Sequence, residues 1–244
     1  INYLGKKKLL VVFKCFTTHC IRCVLMPYKQ CYQLLKKIYM YRSKIELHNV
    51  DCLPFMKQCE DNQFDLAIVD APYRDEKDNA PTKQMRAKLD GKMKNFGNKP
   101  TSEFWTELFR ISKNQIVWGA NNFIENLNNT NCFVFWDKLV ECKNYSDGEL
   151  AWTSFNKPAK MVRYVWSGNR YGTPNNIKGV GKPSSRIHPT EKPIYLYEWL
   201  LTQFAEKGNK IFDPYLGSGS IAVACDNLKY DLVATEINSN YFNK

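Results

Sequence analysis

Residues 210–236, "KIFDPYLGSGSIAVACDNLKYDLVATE", decide the fold. "KIFD" reads as a short buried strand, "PYLGSGS" as a glycine-rich turn, "SIAVACDNL" as a helix and "YDLVATE" as a second strand. Strand, helix and strand in so short a span make a βαβ unit, whose two strands lie parallel. Gly217 and Gly219 fall between the first strand and the helix, where a missing Cβ lets a ligand approach the backbone and the helix N-terminus. Nineteen residues after Gly217 the second strand ends at Glu236. An acid at that distance is where a ribose diol is held in doubly wound nucleotide-binding sheets. The unit therefore points to a nucleoside-type cofactor. Ala222 stands where the third glycine of G-x-G-x-x-G would be, and no P-loop Gly-Lys-Ser/Thr occurs, which argues against ATP hydrolysis.

The same grammar runs upstream. "IELHNV" (45–50) is a strand, a helix follows around residues 53–60, and "FDLAIVD" (64–70) is a strand apolar enough to be buried on both faces. That strand stops at Asp70-Ala71-Pro72-Tyr73. The end of a strand in an open parallel sheet faces the ligand crevice. There Asp70 can accept a hydrogen bond from an amino group. The Ala71 carbonyl can accept a second, because Pro72 neither donates nor continues a regular element. Tyr73 can stack on a planar base for about 1–3 kcal/mol, which offsets much of the few kcal/mol that flipping a base costs. Taken alone, Asp-Ala-Pro-Tyr also reads as an ordinary turn.

Between these two landmarks, residues 74–102 read as a long polar, basic loop, and residues 102–111 as a helix. "NQIVWGANNF" and "CFVFWDK" are strands, and "GELAWTSFN" and "AKMVRYVWSG" alternate like two strands paired with each other. A Gly/Pro/Asn-rich loop covers 168–186. Thr190 then caps a helix whose apolar face runs Ile194, Tyr197, Leu200, Leu201, Phe204, with Gly208 as its stop.

A chain of 244 residues with 44% hydrophobic content is long enough for one sizeable core. The formal charge of +11 suggests an anionic partner, but residues 1–39 supply +8 of it, with eight basic side chains and no acid. The remaining residues carry 27 basic and 24 acidic side chains, a surplus of +3. Residues 1–39 thus form a basic, Cys-rich extension expected to lie outside the fold, with the main domain over 40–244 and its sheet beginning at Ile45. "CFTTHCIRC" offers Cys15, His19, Cys20 and Cys23 as metal ligands, yet a second Cys pair at zinc-knuckle spacing is missing, so no metal is assigned. The apolar run before Lys14 is too short for a signal peptide, and nothing approaches the roughly 20 apolar residues of a membrane span. Nine scattered cysteines in such a chain fit reduced thiols and a cytoplasmic location.

"FDPYLGSGS", "DAPY" and "HPTEKP" together resemble the amino-methylating DNA methyltransferases of bacteria and phages, in the permuted group whose catalytic motif precedes the cofactor motif. Asp70-Ala71-Pro72-Tyr73 is similar to that family's Asp-Pro-Pro-Tyr except at Ala71. Asp213 to Ser220 is similar to its Asp-Pro-Phe-x-Gly-Ser-Gly-Thr, and His188 to Pro193 to its His-Pro-Thr-x-Lys-Pro. The resemblance spans Ile45 to the C-terminus. It implies a Rossmann-like, doubly wound, mostly parallel α/β sheet of seven strands with helices on both faces, and S-adenosylmethionine as cofactor. It also implies that Asp213, Pro214, Gly217, Ser218 and Gly219 hold the methionine part, Glu236 the ribose, and Asp51 with its neighbour Cys52 the adenine. Thr190 and Lys192 would receive the methionine carboxylate; His188 belongs to the same cofactor motif or is a structural residue beside Pro189.

The implied reaction is direct transfer to an exocyclic amine, with Asp70 and the Ala71 carbonyl holding the amine. Covalent catalysis of the cytosine C5 kind needs a Pro-Cys nucleophile, and here no cysteine follows a proline. Asp at the first position of the tetrad leans toward adenine N6; cytosine N4, an inactive cofactor-binding protein, and an RNA or protein amine methyltransferase are the alternatives. Double-stranded DNA is the expected partner. Phosphate contacts are expected from Lys83, Arg86, Lys88, Lys92, Lys94 and Lys99 in the first loop, and target recognition from 168–187, which contains Arg170, Lys178 and Arg186. A cognate restriction nuclease is compatible with the resemblance.

Overall fold

The computed structural model describes residues 2–3, 8–14, 21–27, 42–75, 98–139, 146–167, 170–171 and 191–243. The chain divides into two compact units, 1–42 and 43–244. In the first, β1 (Asn2–Tyr3), β2 (Lys8–Lys14) and β3 (Ile21–Pro27) form an antiparallel sheet, with Val11 opposite Val24. The apolar run before Lys14 is thus the middle of a hairpin strand.

The second unit is built on an eight-stranded sheet in the order β4 (Ile45–His48), β13 (Asp231–Thr235), β12 (Lys210–Asp213), β5 (Phe64–Val69), β6 (Ser112–Trp118), β8 (Gly148–Thr153), β7 (Phe133–Asp137), β9 (Lys160–Arg163). Every strand but β8 points the same way. The sheet has eight strands where the resemblance implied seven, and "AKMVRYVWSG" breaks in two. Its first part pairs in parallel with β7, closing on a hydrogen bond from Tyr164 N to Asp137 O (3.1 Å). Its second part forms a separate two-stranded ribbon, β10 (Trp166–Ser167) with β11 (Arg170–Tyr171). The two stretches expected to pair with each other, β8 and β9, are separated by β7, because β8 turns back to fill the slot between β6 and β7.

Alternation along the central strands explains the two layers of packing. Ile116, Ile211, Leu232 and Ala234 face one cluster, with Leu200, Leu201 and Phe204 of α3 (Ile194–Phe204) and Ile221 and Ala224 of α4 (Ser220–Leu228). Val117, Phe212 and Val233 face the other, with Met56 of α1 (Cys52–Met56) and Phe104, Leu108 and Ile111 of α2 (Ser102–Ile111). On the edge beyond, Asn238 caps a last short helix, α5 (Ser239–Phe242). The sheet is therefore covered on both faces, as the resemblance implied. Helix α3 begins after Pro193, whose carbonyl accepts from Leu196 N (3.0 Å); Thr190, expected as its cap, lies outside the described residues. Among the described residues no helix is long and apolar enough to cross a membrane.

The strand order puts the site where it is. From β12 the chain crosses through α4 to β13 on one side; from β5 it crosses through α2 to β6 on the other. Two neighbouring parallel strands whose crossovers diverge leave a crevice at their carboxyl ends. That crevice lies between the ends of β5 and β12.

Candidate active site

Asp70 and Asp213 stand at the two lips of this crevice, because Ile211 pairs with Leu66 and Phe212 with Ala67. The turn after Asp213 is pinned to the end of β13. Leu216 N donates to Thr235 O (2.9 Å), Thr235 Oγ1 donates to Pro214 O (2.8 Å), and Gly217 N donates to Glu236 Oε2 (2.9 Å). Gly217 and Gly219 both have positive φ, +55° and +74°, which glycine alone adopts without cost. A Cβ built on Gly219 meets nothing within 4 Å, so the space over the turn is open. Ser218 Oγ lies 3.0 Å from Ser220 Oγ beside it.

Asp213 is 1% exposed, and burial pushes its carboxyl up to about 8 even though it accepts a hydrogen bond from Tyr215 N (2.8 Å). A buried carboxyl with one hydrogen bond among the described residues, beside an open glycine turn, is suited to a ligand cation. Glu236 Oε1 accepts from Asn238 N (2.7 Å), so its carboxylate already clamps two turns. On the far side, β4 delivers Asn49, whose Nδ2 donates to Glu236 O (2.6 Å), and Asp51, which caps α1 by accepting from Leu53 N (2.9 Å). Cys52 is buried next to it, and burial pushes its thiol up to about 12, outside the range of a reactive thiolate. Ile237, directly after Glu236, is 65% exposed on the same rim.

The tetrad is held more tightly than its sequence announces. Asp70 Oδ1 accepts from the Tyr73 hydroxyl at 2.9 Å, and Asp70 Oδ2 pairs with Lys192 Nζ at 2.5 Å. Lys192 Nζ also donates to the Tyr73 hydroxyl at 3.3 Å and lies over the Tyr73 and Trp118 rings. Ala71 is 3% exposed and packs in the cluster below, which accounts for a small side chain there. Burial pushes the Tyr73 hydroxyl well up, and the neighbouring Asp70 carboxylate adds to this, so it remains a donor. The Tyr73 ring leans on Gly119 and meets Phe123 edge-on at 6.2 Å between centroids. Gly119 has φ +64°, and a Cβ there would stand 2.2 Å from Tyr73 Cε1, so no other residue fits.

Lys192, expected at the methionine carboxylate, reaches into the tetrad in the ligand-free chain, with its Nζ between Asp70 and Glu149 Oε2 (3.2 Å), and Glu149 Oε1 pairs with Lys138 at 2.6 Å. The reason is burial: at 6% exposure its ammonium needs counter-charge. Although burial pulls it down, the carboxylates of Asp70 and Glu149 hold it well above the usual lysine range. Glu149 is a site residue that the sequence reading missed. It comes from β8, which runs against its neighbours, so its first residues lie where the other strands end. An acid opening an alternating strand was the available signal, but its edge depends on strand direction.

Of the expected residues, the structure brings together Asp70, Ala71, Pro72, Tyr73 and Lys192 on one lip, and Asp213, Pro214, Gly217, Ser218, Gly219 and Glu236 on the other. Asp51 and Cys52 lie beside β13. His188, Thr190, Lys83, Arg86, Lys88, Lys92, Lys94, Lys178 and Arg186 lie outside the described residues, as does the side chain of Arg170. Lys99 N donates to Asp75 Oδ1 (3.1 Å), and its ammonium lies over the Phe123 ring. Trp166 Nε1 donates to Glu191 O (2.6 Å).

Fold and site define a doubly wound α/β protein with a glycine turn on one lip of its crevice and the Asp70 carboxylate on the other. The chain belongs to the N6_N4_Mtase family, described as DNA methylase, whose model matches residues 29–244. It is 24% identical over 222 residues to the type II methyltransferase M.HpaI of Haemophilus parainfluenzae, covering 76% of this chain and 68% of that one. It is 28% identical over 142 residues to M2.LlaDCHI of Lactococcus lactis subsp. cremoris, covering 55% of this chain and 49% of that one, so it spans about half that relative's length. Among solved structures, the M1.HpyAVI-SAM complex shares the fold at TM-score 0.50 and 18% identity, covering 82% of this chain and 96% of that one. The cytosine-N4-specific PvuII DNA methyltransferase shares it at TM-score 0.54 and 11% identity, covering 82% and 84%.

Proposed function

We propose that this chain transfers a methyl group from S-adenosylmethionine to the N6 amino group of an adenine flipped out of double-stranded DNA. The observation that carries the reading is the placement of Asp70 across the β5/β12 crevice from the Asp213 to Gly219 turn. Asp213, the Gly217 and Gly219 backbone and Glu236 would hold the cofactor, with Asp51 and the exposed Ile237 at its adenine end. When bound, S-adenosylmethionine supplies an electrophilic methyl on a sulfonium.

The rest of the chemistry is the work of this chain's own residues. Asp70 and the Ala71 carbonyl accept hydrogen bonds from the two amine N–H groups, which leaves the nitrogen lone pair free to attack; once methylated, the nitrogen loses one of these protons to the Asp70 carboxylate. The Asp70 carboxylate balances the positive charge that grows on the nitrogen. Tyr73, fixed by its hydroxyl and by Gly119, supports the base. Alignment within a dry crevice provides most of the remaining rate.

Methyl-labelled cofactor and mixed genomic DNA test the reading. The wild-type chain is expected to label adenine, and Asp70→Ala to label it at least about 100-fold more slowly, the usual loss when one charge-stabilising group is removed. Label recovered as N4-methylcytosine would overturn the base assignment, and no label in DNA would overturn the activity.

A further inference from the structure

Both oxygens of Asp70 are already occupied, Oδ1 by the Tyr73 hydroxyl and Oδ2 by the Lys192 ammonium. An incoming amine must therefore displace one of them or share an oxygen with it. Sharing with Lys192 is chemically unproductive, because an ammonium at 2.5 Å from the same carboxylate oxygen stands within hydrogen-bond reach of the amine nitrogen. A donor there engages the lone pair that must remain free for attack, and its charge opposes the charge that grows on nitrogen. Lys192 has to move, yet at 6% exposure it cannot simply lose its counter-ion.

A second seat is present. Glu149 Oε2 is buried and lies 3.2 Å from Lys192 Nζ, a longer contact than the 2.5 Å to Asp70, and it has no other partner among the described residues. Its other oxygen is anchored by Lys138 at 2.6 Å, so the carboxylate is held in place while Oε2 stays available. A small rotation of the lysine side chain shortens this ion pair and vacates Asp70 Oδ2. Glu149 is also fixed in the sheet, since its residue pairs with Trp136 across β7 and β8.

Resting on the proposed amine chemistry, we propose that Glu149 is a positioning residue, the counter-ion that draws the Lys192 ammonium off Asp70 when the target amine enters. In the free protein Lys192 occupies the amine's seat and keeps the carboxylate neutralised. In the loaded protein the ammonium sits on Glu149, and the full charge of Asp70 faces the amine.

Two arms test this with the full chain. In the first, the structure of Asp70→Asn is determined without DNA; Lys192 Nζ is expected to have left hydrogen-bond reach of the residue 70 side chain, beyond about 3.5 Å, while staying within about 3 Å of Glu149 Oε2. Finding it still on residue 70, or turned to solvent, overturns the proposal, and this arm reads the seat whether or not the protein methylates DNA. In the second, single-turnover methyl transfer to genomic DNA is followed at saturating S-adenosylmethionine. Glu149→Gln is expected to slow transfer at least tenfold, with calorimetric cofactor affinity within twofold, and Glu149→Asp to recover part of the rate. Adding Lys192→Gln to Glu149→Gln is expected to raise the rate above that of Glu149→Gln alone, because the ammonium to be moved is gone. A structural Glu149 would instead give losses that add in the double variant, and that result overturns the proposal. A wild-type chain inert on DNA would defeat the proposed function and leave the first arm to decide this one.

Discussion

At the scale of single residues, the site is governed by how few counter-charges a buried crevice contains. Asp213 illustrates this, since burial penalises its ionised form and pushes its carboxyl up to about 8. An acid whose folded-state value is raised holds its proton in the folded chain and not in the unfolded one between about pH 4 and 8. Its contribution to stability is therefore fully present at acid pH and is lost as pH rises through 8. A cationic ligand reverses the preference. Calorimetry of S-adenosylmethionine binding in buffers of different ionisation heat is expected to show proton release below pH 8 that fades above it. Asp213→Asn should abolish that release, and an unchanged release would place the proton elsewhere. Gly119 makes a steric demand of the same local kind. Gly119→Ala must place a Cβ 2.2 Å from Tyr73 Cε1 at φ +64°, and the Tyr73 hydroxyl is held by Asp70 and Lys192. The expected cost is about 1–3 kcal/mol in chemical denaturation, accompanied by a loss of transfer rate at saturating cofactor.

At the scale of elements, α3 shows what was legible in the sequence and what was not. Its period of apolar residues marked Tyr197, Leu200, Leu201 and Phe204 as buried, and they are; Leu196 joins them, while Ile194 at the first turn is 37% exposed. Leu200→Ala is expected to cost about 2–5 kcal/mol through the cavity it leaves. Ile194→Ala should cost under about 1 kcal/mol, the two compared by urea denaturation. Equal costs would mean that α3 does not pack through the face described. The helix 102–111 and the cofactor turn were equally readable, because capping, periodicity and glycine placement are local properties. Strand β8 was not. "GELAWTSFN" reads as a strand, but its partners and direction depend on residues far along the chain. The role of Glu149 was hidden with them.

At the scale of the whole molecule, the sheet that carries both lips lies entirely within residues 45–235, in a unit separate from 1–42. A chain beginning at Met40 is expected to remain soluble, to unfold within a few degrees of the full chain, and to bind S-adenosylmethionine with unchanged affinity. Loss of soluble protein would show that the hairpin unit is needed for folding. The deletion also removes eight basic side chains and no acid, so its non-specific affinity for DNA should fall, with a shallower dependence on salt.

The sequence by itself determined the two local devices of this protein, the glycine turn after a buried strand and the carboxylate-proline-tyrosine end of another, because each is encoded within a few consecutive residues. It also determined that they occur in an order opposite to their more familiar one. Only the tertiary structure decided that the devices face each other, because β12 and β13 insert between β4 and β5, a pairing of strands about 145 residues apart. Only the tertiary structure placed the Lys192 ammonium on Asp70 and a second carboxylate within its reach. The physical reason is that a buried charge must find its partners in space, and those partners come from wherever the sheet brings a strand end to the same edge.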